Sequence, residues 1–251
     1  MNRFVIIAIS LLIAACQTRQ SSKMDSSQKA FQTPDTTLVD PSIISQQKPK
    51  SPTAMKMDSL GLVDIEKELP GIFVDLMYAK PDNFVGRILY DDLTEAYLHP
   101  DAINALKKAR DILMEEHPDL RLKVYDAARP MSIQKIMWRQ VAGTSKSIYV
   151  SNPKNGGGMH NYGLAVDVTL CDIKGDTLAM GVLIDHLGRE SNIDYESQML
   201  KEGKLSQQAY DNRMILRSTM KKAGWQALRS EWWHFNLVDR KTAIRNYKVI
   251  P

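Results

Sequence analysis

The sequence changes character near residue 58, and this change confines the folded domain to the part of the chain that follows. Residues 17–57 are rich in Ser, Gln, Lys, Thr, Asp and Pro and show little hydrophobic periodicity. Such a segment buries too little apolar surface to fold, so we expect a flexible tether. The chain is 43% hydrophobic overall, and residues 58–251 are long enough for one domain with a substantial core.

The N-terminus has the layout of a bacterial export signal. Arg3 precedes an apolar run at 4–13, which is too short to span a bilayer comfortably. Small residues and then Cys16 follow, and this ending resembles a lipoprotein signal, in which the Cys becomes the lipidated first residue. We expect a lipoprotein signal peptide at 1–15. An ordinary signal peptide with an incidental Cys is the alternative interpretation.

Lipidation of Cys16 predicts a protein anchored to a membrane. Residues 16–57 would then form a lipid-anchored tether, and the domain would be exported to the periplasmic side. The residue after the Cys is Gln17 and not Asp, and this resembles signals for the outer membrane in bacteria that have one.

The charge and the cysteine count exclude several classes of protein. The net charge is +4 and no basic block stands out, so we expect no nucleic-acid partner. No obligatory protein partner is evident. Cys171 is the only cysteine besides Cys16, which excludes a disulfide framework and a zinc site built on cysteines.

Helix and strand patterns are mixed along the domain without a regular strand–helix–strand rhythm. Alternating or β-branched apolar residues predict strands at 69–78, 120–125, 164–170 and 232–238. Apolar residues at helical spacing, with Pro and Gly at the boundaries, predict helices at 101–116, 130–141 and 206–223. This mixture predicts an α+β fold with a single, mostly antiparallel central sheet flanked by helices.

The first cluster of chemically active residues lies around His160. This His precedes a predicted strand, and Asp167 lies within that strand between two valines. An imidazole nitrogen and a carboxylate oxygen both suit Zn²⁺. A buried carboxylate is costly unless it is paired or bound to a metal. A hydrogen-bonded His and a strand-end Asp would explain the same pattern without a metal.

The second cluster is the aromatic run at 230–236. It contains Glu231 and His234 on either side of two tryptophans. Aromatic walls favour a raised carboxyl pKa, which suits a general base. Taken alone, Glu231 is equally compatible with a surface salt bridge, and His234 with a hydrogen-bonded core histidine.

Together the two clusters predict a catalytic zinc site at the sheet. His160, Asp167 and His234 supply three ligands and leave a fourth position for water, as catalytic zinc sites do. Glu231 is a separate carboxylate that can take a proton from that water. Arg129, at a predicted strand-to-helix turn, can hold a carbonyl oxygen as it becomes negative, although a surface role is its default interpretation.

These residues resemble a known family. His160, Asp167 and the stretch 231–234 are similar to the M15 metallopeptidases, which include D-alanyl-D-alanine carboxypeptidases and VanX-type D-alanyl-D-alanine dipeptidases. Two further stretches, 74–86 and 125–130, resemble signatures of the dipeptidase branch. The resemblance covers nearly the whole predicted domain.

The resemblance implies a role for each residue of the site. One Zn²⁺ per chain would be held by His160, Asp167 and His234. Glu231 would be the general base and would later pass its proton to the leaving amine. Arg129 would stabilise the tetrahedral intermediate.

The resemblance also concerns the part of the site that meets the substrate. Asp185 lies near the place where the dipeptidase branch has an acidic residue that contacts the substrate's free amino group. Met159 stands where the family often has a Ser that helps to hold this amine. His186 is a further imidazole, for which we expect a surface or supporting role and no metal.

The implied activity is zinc-dependent hydrolysis of the D-alanyl-D-alanine dipeptide into two D-alanines by a metal-activated water. A D,D-carboxypeptidase or endopeptidase acting on peptidoglycan stem peptides is the nearest alternative. A zinc-containing binding module without catalysis is an alternative of another class.

Overall fold

A computed structural model describes residues 49–251 of the chain. The helices are α1 (Pro52–Ser59), α2 (Ile65–Glu68), α3 (Pro100–Glu116), α4 (Met131–Val141), α5 (Glu196–Lys201), α6 (Gln207–Lys222) and α7 (Arg240–Asn246). The strands are β1 (Val63–Asp64), β2 (Phe73–Val74), β3 (Tyr97–Leu98), β4 (Leu120–Asp126), β5 (Ala165–Asp172), β6 (Gln226–Ala227) and β7 (His234–Asn236). Within this part of the chain, no helix combines the length and the apolar character that crossing a membrane requires.

The five-stranded central sheet has the order β2-β4-β5-β7-β6, and β1 and β3 form a separate pair. Only β2 and β4 pair in parallel, while the other neighbours in the sheet are antiparallel. The predicted α+β fold with a mostly antiparallel sheet is therefore confirmed.

Helices α3 and α6 pack against each other and against the sheet. Leu106 of α3 and Leu216 of α6 are completely buried, as their helical spacing predicts. In β5, seven of the eight residues are buried, so both faces of this strand are covered. The polar residues of the predicted site lie at this fully covered centre of the sheet.

The long elements lie close to their predicted positions because each has a clear start signal. Ser206 caps α6 by accepting a hydrogen bond from the Ala209 N–H. Pro130, the predicted first residue of α4, is its N-cap, so the helix begins one position later, at Met131.

Two predicted strands are much shorter in the structure. The strand predicted at 69–78 is reduced to β2, and a 3-10 turn follows at Met77–Ala79, where buried Tyr78 turns towards the interior. The strand predicted at 232–238 is reduced to β7, because Trp232 and Trp233 are buried in the core beside the sheet. Alternating apolar residues indicate burial here, not extended pairing.

The fold also extends upstream of residue 58. Helix α1 begins at Pro52, with Ser51 as its cap, and it buries Ala54 and Met57 in the core. The predicted signal peptide, Cys16 and most of the predicted tether lie outside the described residues.

Candidate metal centre and active site

Three neighbouring strands bring acidic and imidazole side chains to the same level of the sheet. Asp126 of β4 is the register partner of Asp167 of β5, and Asp167 is the partner of His234 of β7. The register shifts between Val124 and Asp126, which is the signature of a β-bulge. Bulges re-aim side chains next to functional sites, and here the bulge precedes Asp126 and the Arg129 turn.

His160 reaches this level from a short 3-10 turn, Met159–Tyr162, that precedes β5. Gly163 closes the turn with a left-handed backbone (φ 67°). A Cβ at this position would lie 3.0 Å from the backbone nitrogen of His99, so the close approach requires glycine. The turn places the His160 ring beside that of His234, with the two centroids 4.9 Å apart.

Hydrogen bonds fix which nitrogen of each ring carries the proton. The Nδ1 of His160 lies 2.7 Å from the carbonyl oxygen of Ala127, which can only accept, so this nitrogen donates. The Nε2 of His234 donates in the same way to the Oδ1 of Asn236, at 2.8 Å. The two remaining ring nitrogens, His160 Nε2 and His234 Nδ1, therefore carry lone pairs.

These lone pairs face each other and a carboxylate. His160 Nε2 lies 3.2 Å from His234 Nδ1, and Asp167 is 3.3 Å from the first and 2.9 Å from the second. One donor atom from each of the three residues lies within 4.8 Å of the others. Converging lone pairs repel one another unless a cation lies between them, so this donor set fits a divalent metal such as zinc.

The charge state of Asp167 agrees with a ligand role. Burial by itself would raise the pKa of this carboxyl, but its close contacts with the His160 and His234 imidazoles outweigh the burial. The pKa is therefore held well below its usual range, and Asp167 is an anion at neutral pH.

Glu231 lines the same cavity as the three donors and is 8% exposed. Among the described residues, no hydrogen-bond donor contacts its carboxylate. Burial raises the pKa of Glu231 to about 7, although the nearby His234 opposes the shift. A carboxyl group with this pKa can both take up and release a proton at neutral pH.

Arg129 is held rigidly beside the donors. Its Nε donates to Asp126 Oδ2 at 2.9 Å and its Nη1 donates to Gln134 Oε1 at 3.0 Å. Burial works against its charge, but the Asp126 carboxylate raises the pKa of Arg129 well above the ordinary value. Its Nη2 lies 3.8 Å from Asp167, so a fixed cation borders the cavity next to the donor set.

Asp185 lies at another wall of the cavity. It accepts hydrogen bonds from the Tyr78 hydroxyl at 2.9 Å and from the Phe84 N–H at 2.8 Å. Burial raises the pKa of Asp185 to about 6, against the effect of these two donors. Tyr78 also packs against Arg129, whose Cζ lies 5.1 Å from the ring centroid, so the two walls are joined.

All six residues singled out from the sequence line one cavity of about 250 Å³: Arg129, His160, Asp167, Asp185, Glu231 and His234. His186 lies outside this cavity and pairs with Glu190 at 3.0 Å.

Sequence reasoning gave no role to three residues that hold the site in place: Tyr78, Asp126 and Gln134. Asp126 is completely buried, and the Tyr90 hydroxyl donates to it at 2.6 Å. An Asp at the end of an apolar strand, three residues before Arg129, is the signal that points to this pair.

Two imidazoles and one carboxylate with an open side, next to a buried carboxyl of raised pKa, define a hydrolytic metalloenzyme site. A profile of the peptidase family M15, described as D-ala-D-ala dipeptidase, matches residues 58–250. The chain therefore belongs to the D-ala-D-ala dipeptidase family and is a metallopeptidase.

Individual relatives agree with this assignment. A D-alanyl-D-alanine dipeptidase of Escherichia coli K12 is 33% identical over 180 residues, which cover 72% of this chain and 86% of that protein. A D-alanyl-D-alanine dipeptidase of Enterococcus faecalis is 26% identical over 195 residues, which cover 71% of this chain and 92% of that protein. One from Synechocystis is 26% identical over 180 residues, covering 60% of this chain and 73% of that protein.

Proposed function

We propose that this protein hydrolyses D-alanyl-D-alanine to two D-alanines, with one Zn²⁺ held by His160, Asp167 and His234. The observation that carries the proposal is the half-buried carboxylate of Asp185 in the same cavity as the donor set. This carboxylate can bind the ammonium group of a substrate whose scissile bond lies at the metal. The names of the relatives support the same substrate.

An ammonium site favours a dipeptidase over the alternative activities. Carboxypeptidases and endopeptidases of wall peptides act on substrates whose chain continues beyond this point, and such substrates carry no ammonium group there. The cavity volume of about 250 Å³ is also small, because pockets for drug-sized ligands measure roughly 300–1,000 Å³. Met159 lines the cavity and offers no strong hydrogen bond, so Asp185 and Tyr78 would bind the ammonium group.

The remaining residues have roles that follow from their chemistry. When bound, a zinc ion with three protein ligands polarises a carbonyl group and acidifies water. Glu231 takes a proton from the water that attacks the peptide carbonyl, and it later gives a proton to the leaving amino group. Arg129 stabilises the negative charge that develops on the carbonyl oxygen.

The test is amine release from D-alanyl-D-alanine by the purified full-length protein with added zinc. Hydrolysis should be zinc-dependent in the wild type and abolished in Glu231→Ala, which should still bind one zinc per chain. Glu116→Ala is the matched control, because Glu116 is exposed and pairs with Lys222 away from the cavity. Loss of zinc from Glu231→Ala would show that Glu231 is a ligand and not the base.

A longer stem peptide, offered in parallel, separates the alternatives. Faster cleavage of the stem peptide than of the free dipeptide would identify a carboxypeptidase or endopeptidase. A protein that binds zinc and leaves both peptides intact would be a binding module.

We also propose that the protein is exported and anchored to a membrane through lipid on Cys16, with its domain on the periplasmic side. The support is the order of charge, apolar run, small residues and Cys at the N-terminus. Radiolabelled palmitate should be incorporated into the wild type and not into Cys16→Ala. Equal labelling of the two proteins would contradict the proposal.

A further inference from the structure

Arg213 of α6 is buried at 1% exposure although its guanidinium group is charged. A buried guanidinium is costly unless its N–H groups have partners. Its Nε and Nη1 donate away from α6, towards residues 180–191, which we call the Asp185 segment, while its Nη2 has no hydrogen-bond partner among the described residues. This segment lies between β5 and α5 and carries Asp185 at its middle.

The guanidinium binds both ends of the Asp185 segment. Its Nε donates to the Met180 carbonyl at 2.7 Å, and its Nη1 donates to the Glu190 carbonyl at 3.1 Å. The neighbouring Asn212 donates to the Ala179 carbonyl at 2.8 Å. The segment also approaches α6 closely, because a Cβ on Gly181 would lie 3.3 Å from Arg213 Nη2.

The same guanidinium contacts the loop that carries Glu231. Its Cζ lies 5.3 Å from the ring centroid of Trp232, the residue after Glu231. The Trp232 N–H in turn donates to the Ser191 carbonyl at 2.9 Å. One side chain therefore connects the loop of the general base with the Asp185 segment.

We propose that Arg213 is a positioning residue that fixes the distance between Asp185, which binds the substrate ammonium, and Glu231, which moves the proton. This inference rests on the proposed function, because it assigns these two roles. Only the planar guanidinium group, with its five N–H donors, can bind two carbonyl groups and stack on an aromatic ring at the same time. A lysine would keep the charge but lose this geometry.

Arg217 offers a matched control. It lies one turn further along α6 and donates to Glu196 at 2.6 Å and 3.1 Å. Arg213 shares this carboxylate at 3.4 Å. Among the described residues, the Arg217 side chain makes no hydrogen bond to the Asp185 segment or to the Glu231 loop. Arg→Lys at 213 and at 217 therefore changes the same buried ion cluster, and only the change at 213 removes the connection.

The experiment measures kcat and KM for D-alanyl-D-alanine, and the zinc content, in the full-length protein and both Lys variants. Arg213→Lys should raise KM about tenfold and lower kcat/KM further at unchanged zinc content, since small displacements of catalytic groups cost up to about a hundredfold. Arg217→Lys should stay within about twofold of the wild type. Equal losses in the two variants, or wild-type kinetics in Arg213→Lys, overturn the inference.

Two further measurements keep the test decisive. If Arg213→Lys does not fold, Asn212→Ala replaces it, with an expected KM increase of about threefold from one lost hydrogen bond. An unchanged KM overturns the inference.

If the wild type does not cleave the dipeptide, the proposed function fails, and amide hydrogen exchange still tests whether Arg213 holds the Asp185 segment in place. Exchange in the Asp185 segment should then be faster in Arg213→Lys than in Arg217→Lys, and equal exchange overturns the inference.

Discussion

The role proposed for Asp185, binding the ammonium group of the substrate, depends on the charge of its carboxyl group. Burial raises its pKa to about 6, and the hydrogen bonds from Tyr78 and Phe84 limit the shift. The carboxyl group is an anion above this pH and neutral below it. Its backbone is left-handed (φ 72°), a conformation that Asp tolerates better than most residues.

We therefore expect KM for D-alanyl-D-alanine to rise as the pH falls through about 6, in addition to the fall in kcat that protonation of Glu231 causes below about pH 7. Asp185→Asn should raise KM about 10- to 100-fold, as expected for a lost hydrogen bond to a charged group, and should remove the pH dependence of KM. Steady-state kinetics from about pH 5 to about pH 8 provide the measurement. Asp172→Asn, at the end of β5 and outside the cavity, is the control, and a KM of Asp185→Asn equal to that of the wild type would contradict the assignment.

The elements that the sequence predicted well are those with long patterns and strong boundaries. Helix α3 is one residue longer than predicted, and β4 is also one residue longer. The strands predicted at 69–78 and 232–238 were mostly wrong, because long-range burial of Tyr78 and Trp233 produces the same alternation as strand pairing.

The candidate site likewise combines features that the local sequence indicates with features that depend on long-range contacts. Residue type and spacing were sufficient to single out His160, Asp167 and His234, since metal ligands belong to few residue types. The contact of Tyr78 with Asp185 joins positions 107 residues apart, and no local pattern encodes it. The bulge in β4 that brings Asp126 level with Asp167 likewise has no clear local signal.

The loop before the His160 turn offers a test of an element with a strict shape. Gly157 is left-handed (φ 71°), and a Cβ there would lie 2.2 Å from Asn161 Oδ1. Asn161 donates to the Arg129 carbonyl at 2.8 Å and thereby joins the Arg129 turn to the His160 turn. Gly203 has a similar backbone (φ 68°) with no atom within 4 Å of such a Cβ.

Gly157→Ala should therefore lower kcat/KM at least about tenfold, because it displaces Asn161 and the two turns that it joins. Gly203→Ala carries the same backbone strain, so it should lower the free energy of unfolding by about 1 kcal/mol and leave the kinetics unchanged. Steady-state kinetics and urea unfolding of both variants provide the comparison. Equal kinetic losses would show that backbone strain alone is responsible.

At the scale of the whole molecule, the cavity depends on segments from distant parts of the chain. Its walls include Tyr78, Asp185 and Glu231, which lie far apart in the sequence. The C-terminal segment supports the same region, since the Ile250 N–H donates to the Asn161 carbonyl and the Ile250 carbonyl accepts from Met131 N–H. The donor set therefore exists only when the domain is folded, and metal binding must stabilise the fold.

This coupling predicts the effect of removing the metal. Without a cation, His160 Nε2 and His234 Nδ1 lie 3.2 Å apart with their lone pairs facing each other, and this repulsion opposes folding. A ligand present at about 100 times its Kd stabilises the folded state by about 2.7 kcal/mol, which for a domain of this size corresponds to about 5–10 °C in Tm. A chelator should lower Tm by this amount, and added zinc should restore it.

His234→Ala should show no zinc-dependent shift in Tm, whereas His186→Ala, which changes an imidazole outside the cavity, should keep this shift. An unchanged Tm after complete removal of bound zinc would mean that these three side chains do not form a metal site.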